Sequence, residues 1–157
     1  MRKILFTIFT FLIFLTFSTP FIYAGTTVDD ETLGKIGPMK TLTIVCRWES
    51  DNSWVSYTTD KKIKGLIIGA WFTPGTTSPK VDSDCVINTQ GATAEDIFGT
   101  SLSDWVQTTA KYREPLLASS NYGGIPYDDK VSILWTNNDV GSATGNLQIW
   151  FFGEYAN

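Results

Sequence analysis

The first hydrophobic pattern in the chain is a block. After the cations Arg2 and Lys3 comes an apolar run, residues 4–17, broken only by threonines. Ser18, Thr19 and Pro20 close it, and Ala24 places a small residue before Gly25. A charged start, an apolar stretch of about 7–15 residues and a small residue at the cut form the layout of a secretory signal. A permanent span needs nearer to about 20 apolar residues. The pattern therefore predicts a signal peptide over 1–24, removed on export and leaving no membrane span. It predicts a secreted or extracytoplasmic protein, and with no cysteine near the cut it does not predict a lipoprotein.

Residues 25–38 carry no period. Asp29, Asp30 and Glu31 are followed by Gly34, Gly37 and Pro38, which predicts a flexible linker. Alternation begins after Lys40. Over 41–48, Leu42, Ile44, Cys46 and Trp48 share one face, as in a half-buried strand. Turn residues at 51–53 and β-formers over 54–59 predict a hairpin with it. The stretch 61–73 is the most apolar after the signal. Its Gly65 and Gly69 argue against a helix and predict a central strand with a bulge or a close backbone approach. A loop over 74–79 precedes a short strand at 84–89, a turn at Gln90 and Gly91, and an apolar segment, 96–98, closed by Gly99.

The one helical candidate is 101–108, with Ser101 as a cap and Leu102, Trp105 and Val106 on one face. Residues 114–117 read as extended and 121–126 as a loop. Two clear strands, 130–137 and 146–155, flank a stretch rich in Asn, Gly and Ser and predict a C-terminal hairpin. In the last strand Leu147, Ile149 and Phe151 point one way while Trp150 and Phe152 point the other, so both faces are apolar. Short strands separated by turn signals predict an all-β fold over 39–157: a single antiparallel β-sandwich, jelly-roll-like or Ig-like, with one short helix at most.

Composition changes this picture only at the margins. Aromatic residues at 14% and charged residues at 18% suit a β-rich exported domain. The net charge of −4 is spread along the chain without a basic cluster, so nothing points to nucleic acid. Two cysteines, Cys46 and Cys85, fall in strand patterns beside apolar neighbours, and export would let them form a disulfide. Two buried thiols acting as small hydrophobes are the alternative.

Catalytic chemistry finds little support. The chain has no histidine, which removes the commonest general base and metal ligand. No phosphate-binding loop is present, because Gly65 and Gly69 lie within a strand. Asp82, Asp84, Glu95, Asp96 and Asp104 are carboxylates with no pair marked out for acid–base work. The pairs Asp82 and Asp84, and Asp128 and Asp129, read as turn chemistry rather than a calcium site. The reading is of a protein that is not an enzyme, with no cofactor, no metal and no catalytic residue. The tryptophans are the candidates for binding. Of the six, Trp54, Trp105 and Trp150, with Phe152 beside the last, are the residues expected at an interface or a sugar-stacking surface.

Lys40-Thr41-Leu42-Thr43-Ile44, Lys62-Ile63-Lys64-Gly65, Gly69, Pro74-Gly75, Pro79, Asp84, Gly91 and Asp96-Ile97-Phe98-Gly99 form a sequence of strand and turn signals. With 130–137 and 145–152 they give the chain from Met39 onward a pattern that resembles a family of small tailed-phage and prophage virion-associated β-sandwich proteins. The resemblance implies a structural or assembly protein that associates with its own copies, as a homo-oligomer, or with other virion structural proteins. It carries over no site residues. This chain departs from the family in having a signal peptide, in Ser83 where an aromatic is usual, and in Cys85. The expectation is a virion-type structural protein, exported and self-associating through strand faces. The alternative is a secreted module that binds a glycan or a cell surface.

Overall fold

The computed structural model describes residues 26–48, 55–90, 95–105, 109–118 and 121–157. The expected signal peptide and Trp54 lie outside them. Eleven strands follow in chain order: β1 (Thr26–Ile36), β2 (Met39–Trp48), β3 (Val55–Thr58), β4 (Lys62–Pro74), β5 (Asp84–Thr89), β6 (Lys111–Arg113), β7 (Leu116–Ala118), β8 (Asn121–Tyr122), β9 (Ile125–Asp129), β10 (Val131–Thr136) and β11 (Ala143–Ala156). The large sheet runs β1-β2-β11-β4-β6, and β9 pairs with the first half of β4 on the same edge as β6. A second sheet, β3-β10-β5, packs on it, and β7 with β8 makes a small ribbon. All pairings are antiparallel. The fold is an all-β sandwich of antiparallel sheets, as the alternation predicts.

Alternation builds the core. Leu42, Ile44, Cys46 and Trp48 of β2 and Leu147, Ile149 and Phe151 of β11 are all buried on one face. They meet Cys85 and Ile87 of β5 and Val131, Ile133 and Trp135 of β10. In β4 the buried set changes phase, from Phe72 and Ala70 to Ile67 and Ile63. The cause is a bulge: Trp150 pairs with Gly69 and Phe151 with Ile67, so Ile68 is the extra residue. Farther along the same ribbon Gly65 faces Gly153, with φ of 152° and 134°. A Cβ on Gly65 would lie 1.9 Å from the Phe152 carbonyl oxygen, so the two strands approach closely here only because both residues are glycine. The expected bulge and the expected close approach in this strand are both present.

Five local expectations are corrected. The stretch expected to be a linker is strand β1, paired with β2 from Thr26 against Trp48 to Ile36 against Met39. Gly37 and Pro38 form the two-residue turn between them, with Gly37 at the positive φ of 61° that such turns require first. A polar sequence can hold this place because an edge strand is solvated on much of its surface.

The two expected hairpins do not form. Strand β3 pairs with β10, not β2. Strand β10 pairs with β3 and β5, whereas β11 lies between β2 and β4. In both cases the chain crosses from one sheet to the other. Period-two alternation identifies the face that meets the core, and strands of both layers satisfy it equally.

Of the helical candidate 101–108, residues 101–104 form turns, and 106–108 lie outside the described residues. Thr100 and Asp104 take φ of 67° and 47°, outside the helical region. Finally, the expected loop at 121–126 contains β8 and the start of β9.

Cys46 and Cys85 come from opposite sheets, both 1% exposed, and are thiols; the expected disulfide is not formed. Burial pushes the Cys85 thiol well above its usual range, and nearby Cys46 adds to the shift. The two behave as small core hydrophobes.

Candidate functional site

The large sheet has a second face, turned away from the core. Strands β6, β4 and β11 place Tyr112, Trp71 and Trp150 side by side on it. Register explains the grouping: Trp71 is directly opposite Tyr112, and Trp150 is opposite Gly69, two residues along the same strand. The Trp71 and Trp150 rings stack, with centroids 6.0 Å apart and planes 8° off parallel. Tyr112 is tilted against both, at 6.3 Å from Trp71 and 5.4 Å from Trp150. These spacings are those of favourable aromatic pairs.

Gly69 makes the cluster fit. A Cβ there would lie 2.3 Å from the Tyr112 ring, so the tyrosine lies against bare backbone. Its hydroxyl donates to the Ile68 carbonyl at 3.0 Å, and the Trp71 indole donates to Thr73 Oγ1 at 3.0 Å. The Trp150 indole N–H is buried with no acceptor among the described residues. Burial pushes the Tyr112 phenol above its usual range, with Glu114 adding a smaller push. All three rings are half-buried. Beyond them the face continues into the cross-strand pair Phe152 and Leu66, 41% and 37% exposed.

On the other side of Tyr112 a cleft of about 580 Å³ opens, lined by Thr100, Ser101, Tyr112, Arg113, Glu114, Leu116 and Tyr122. Tyr122 stands on β8 and is largely exposed. The turns at 98–101 hold the far wall: Ser101 Oγ donates to the Glu114 carbonyl at 3.0 Å, and the Leu116 N–H donates to the Phe98 carbonyl at 3.1 Å. The two charged groups, Arg113 and Glu114, are of opposite sign. With tyrosine rings and hydroxyls they suit stacking and hydrogen bonding to a polyol; glycoside hydrolysis would call for two carboxylates.

The structure brings together only part of the expected site. Trp150 and Phe152 do lie on the outward face of β11, as alternation predicts. Trp105 does not belong with them. It is fully buried, stacked 6.3 Å from Trp135 with planes 2° apart, because the turns before it fold it under the sandwich. Trp71, Tyr112 and Tyr122 were not among the expected site residues. Trp71 carries a signal, since it lies between the inward Ala70 and Phe72, but the bulge three residues earlier, at Ile68, hides the phase. Tyr112 lies in a three-residue strand with no period to read.

One residue of each acidic pair serves local structure: Asp84 Oδ1 accepts from the Asp104 N–H at 2.8 Å, and Asp129 Oδ1 from the Lys130 N–H at 2.8 Å. No cluster of three or more potential metal ligands occurs among the described residues, and none of their helices is long and apolar enough to cross a membrane. Comparison with protein families, with curated proteins and with solved structures finds no match.

Proposed function

We propose that the protein is a non-enzymatic structural or assembly protein of phage-virion type, exported and self-associating through its β-strands. The observation that carries this reading is the outer face of the large sheet. Trp71, Tyr112 and Trp150 continue there into exposed Leu66 and Phe152, and no second sheet among the described residues packs over them. Large aromatic rings joined to exposed apolar ones are what interfaces concentrate and free surfaces avoid. The strand and turn pattern from Met39 onward, similar to that of small virion proteins, supports the same reading.

The test is the mass of the purified protein by size-exclusion chromatography with light scattering, over a range of concentrations. A defined oligomer is expected, and Trp150→Ala with Phe152→Ser should shift it toward monomer. A monomer at every concentration would overturn the proposal.

A second reading, a secreted glycan-binding or cell-surface-binding module, is favoured by one observation: the cleft between Tyr112 and Tyr122, with Arg113 and Glu114 in its wall. Aromatic faces beside hydrogen-bonding groups match the alternating apolar and polar surfaces of a sugar. Retention of the protein on an insoluble polysaccharide, abolished by Tyr122→Ala, would support it. Retention unchanged by that substitution would count against this cleft.

A further inference from the structure

We infer that the free edge of β1 is a self-pairing surface, joining two copies antiparallel about a two-fold axis through Leu33. The inference rests on the self-association reading and adds a second contact surface, separate from the outer aromatic face. The sandwich has several edges, and they are protected differently. Strand β3 has four residues, and β6 and β9, which share one edge of β4, have three and five. The edge of β5 is covered by the segment that follows it. There the Thr89 N–H donates to the Glu95 carbonyl, Ile97 N–H to the Ile87 carbonyl and Cys85 N–H to the Leu102 carbonyl, at 2.9, 2.9 and 3.2 Å. Strand β1 has eleven residues, ends the large sheet and has no neighbour on its outer side among the described residues. It also carries Leu33 and Ile36, 50% and 58% exposed. A long open edge with apolar side chains is a template for another strand.

Charge selects a second copy as that strand. Residues facing each other across an antiparallel pair share a face, so a self-pairing register must keep the core side of both copies together. Glu31, Leu33 and Lys35 all lie on the core side of β1, opposite Ile44, Leu42 and Lys40 of β2. Centred on Leu33, the register sets Leu33 against the second copy's Leu33, Glu31 against the second copy's Lys35, and Lys35 against the second copy's Glu31. One apolar contact is thus flanked by two opposite-charge pairs. The Glu31 carboxylate is held in place by the Tyr57 and Tyr155 hydroxyls. Lys35 is exposed and in no ion pair among the described residues.

The axis stands perpendicular to the sheet. Pairing therefore makes one continuous sheet of the two large sheets and puts both Trp71–Trp150 faces on the same side.

Leu33→Cys tests the geometry directly. Only the residue on the axis meets itself, at the short cross-strand distance that a disulfide needs. Under mild oxidation Leu33→Cys is expected to give a covalent dimer, whereas Thr32→Cys, one step off the axis, is not. Lys35→Glu sets like charges against each other and is expected to raise the dimer dissociation constant by roughly tenfold at low salt, with less effect at high salt. If the wild-type protein self-associates but Leu33→Cys does not cross-link and Lys35→Glu changes nothing, the β1 edge is overturned while self-association stands. If the wild type is monomeric throughout, both fail.

Discussion

Two aromatic clusters lie on opposite faces of the large sheet; they share only strand β4 but have similar ring spacings. Inside, Trp48, Phe72, Trp105 and Trp135 pack with centroids 5.2 to 6.4 Å apart. Outside, Trp71, Tyr112 and Trp150 pack at 5.4 to 6.3 Å. Each cluster rests on a glycine: a Cβ on Gly145 would lie 2.4 Å from the Phe72 ring, as one on Gly69 would lie 2.3 Å from that of Tyr112. The clusters differ in what lies beyond the rings. The inner one is fully buried, its rings drawn from both sheets and from the segment at 105. The outer one is half-buried, holds polar contacts to Ile68 and Thr73, and runs on into exposed Phe152 and Leu66. Ring geometry alone therefore does not separate structure from function; accessibility does. The inner rings hold the two sheets together, and the outer rings keep part of their surface exposed.

The sharpest contrast comes from truncating one ring of each cluster. Trp135→Ala removes a fully buried ring, and such deletions cost about 3–5 kcal/mol, read as a lower urea midpoint. Trp150→Ala, half-buried, is expected to cost about 1–2 kcal/mol, an ordinary value for a point substitution, yet to weaken self-association strongly. Equal stability losses for the two would collapse the distinction between the clusters.

The glycines give a finer version. Gly145→Val drives a side chain into Phe72, which its neighbours hold fast, and overpacking of this kind costs about 1–3 kcal/mol. Gly69→Val meets first the phenol end of the half-buried Tyr112, which can swing away by giving up its hydrogen bond to Ile68. A smaller stability loss is expected, accompanied by a change in near-ultraviolet circular dichroism from the broken Trp71–Tyr112–Trp150 contact.

Away from both clusters, Glu31 ties the sheets at one end by accepting from Tyr57 of β3 and Tyr155 of β11. Glu31→Ala is expected to cost about 1–3 kcal/mol, the usual value for a charged hydrogen-bond acceptor.

The smallest effect is in pH. Burial, with Asp129 adding to it, pushes the Tyr127 phenol up to about 12. Folding thus favours the neutral phenol, and its contribution is complete below the usual phenol value of about 10. It is lost as pH rises through about 12. Urea midpoints should be flat for this group at neutral pH and fall in that alkaline window, with a shallower fall in Tyr127→Phe.

Several features of this protein follow from its sequence alone. Alternation over 41–48 and 146–155 places Leu42, Ile44, Leu147, Ile149 and Phe151 in the core and Trp150 and Phe152 outside, because a strand offers its side chains only two directions. The glycines at 65 and 69 announce a close approach and a bulge for the same local reason.

Partnership is another matter. Nothing in residues 130–137 says that β10 joins β3 and β5 while β11 joins β2 and β4, since either arrangement buries the same faces. Strand β1 was legible only once β2 was there to pair with it, because edge strands need few apolar residues. Trp105 and Tyr112 went opposite ways, one into the core and one to the surface, for want of any local period. Sequence determined the direction of each side chain within a strand, a property of the backbone geometry of single residues. Tertiary structure alone decided which strands became neighbours, and so which of the aromatic side chains met across them, because those contacts join residues far apart in the chain.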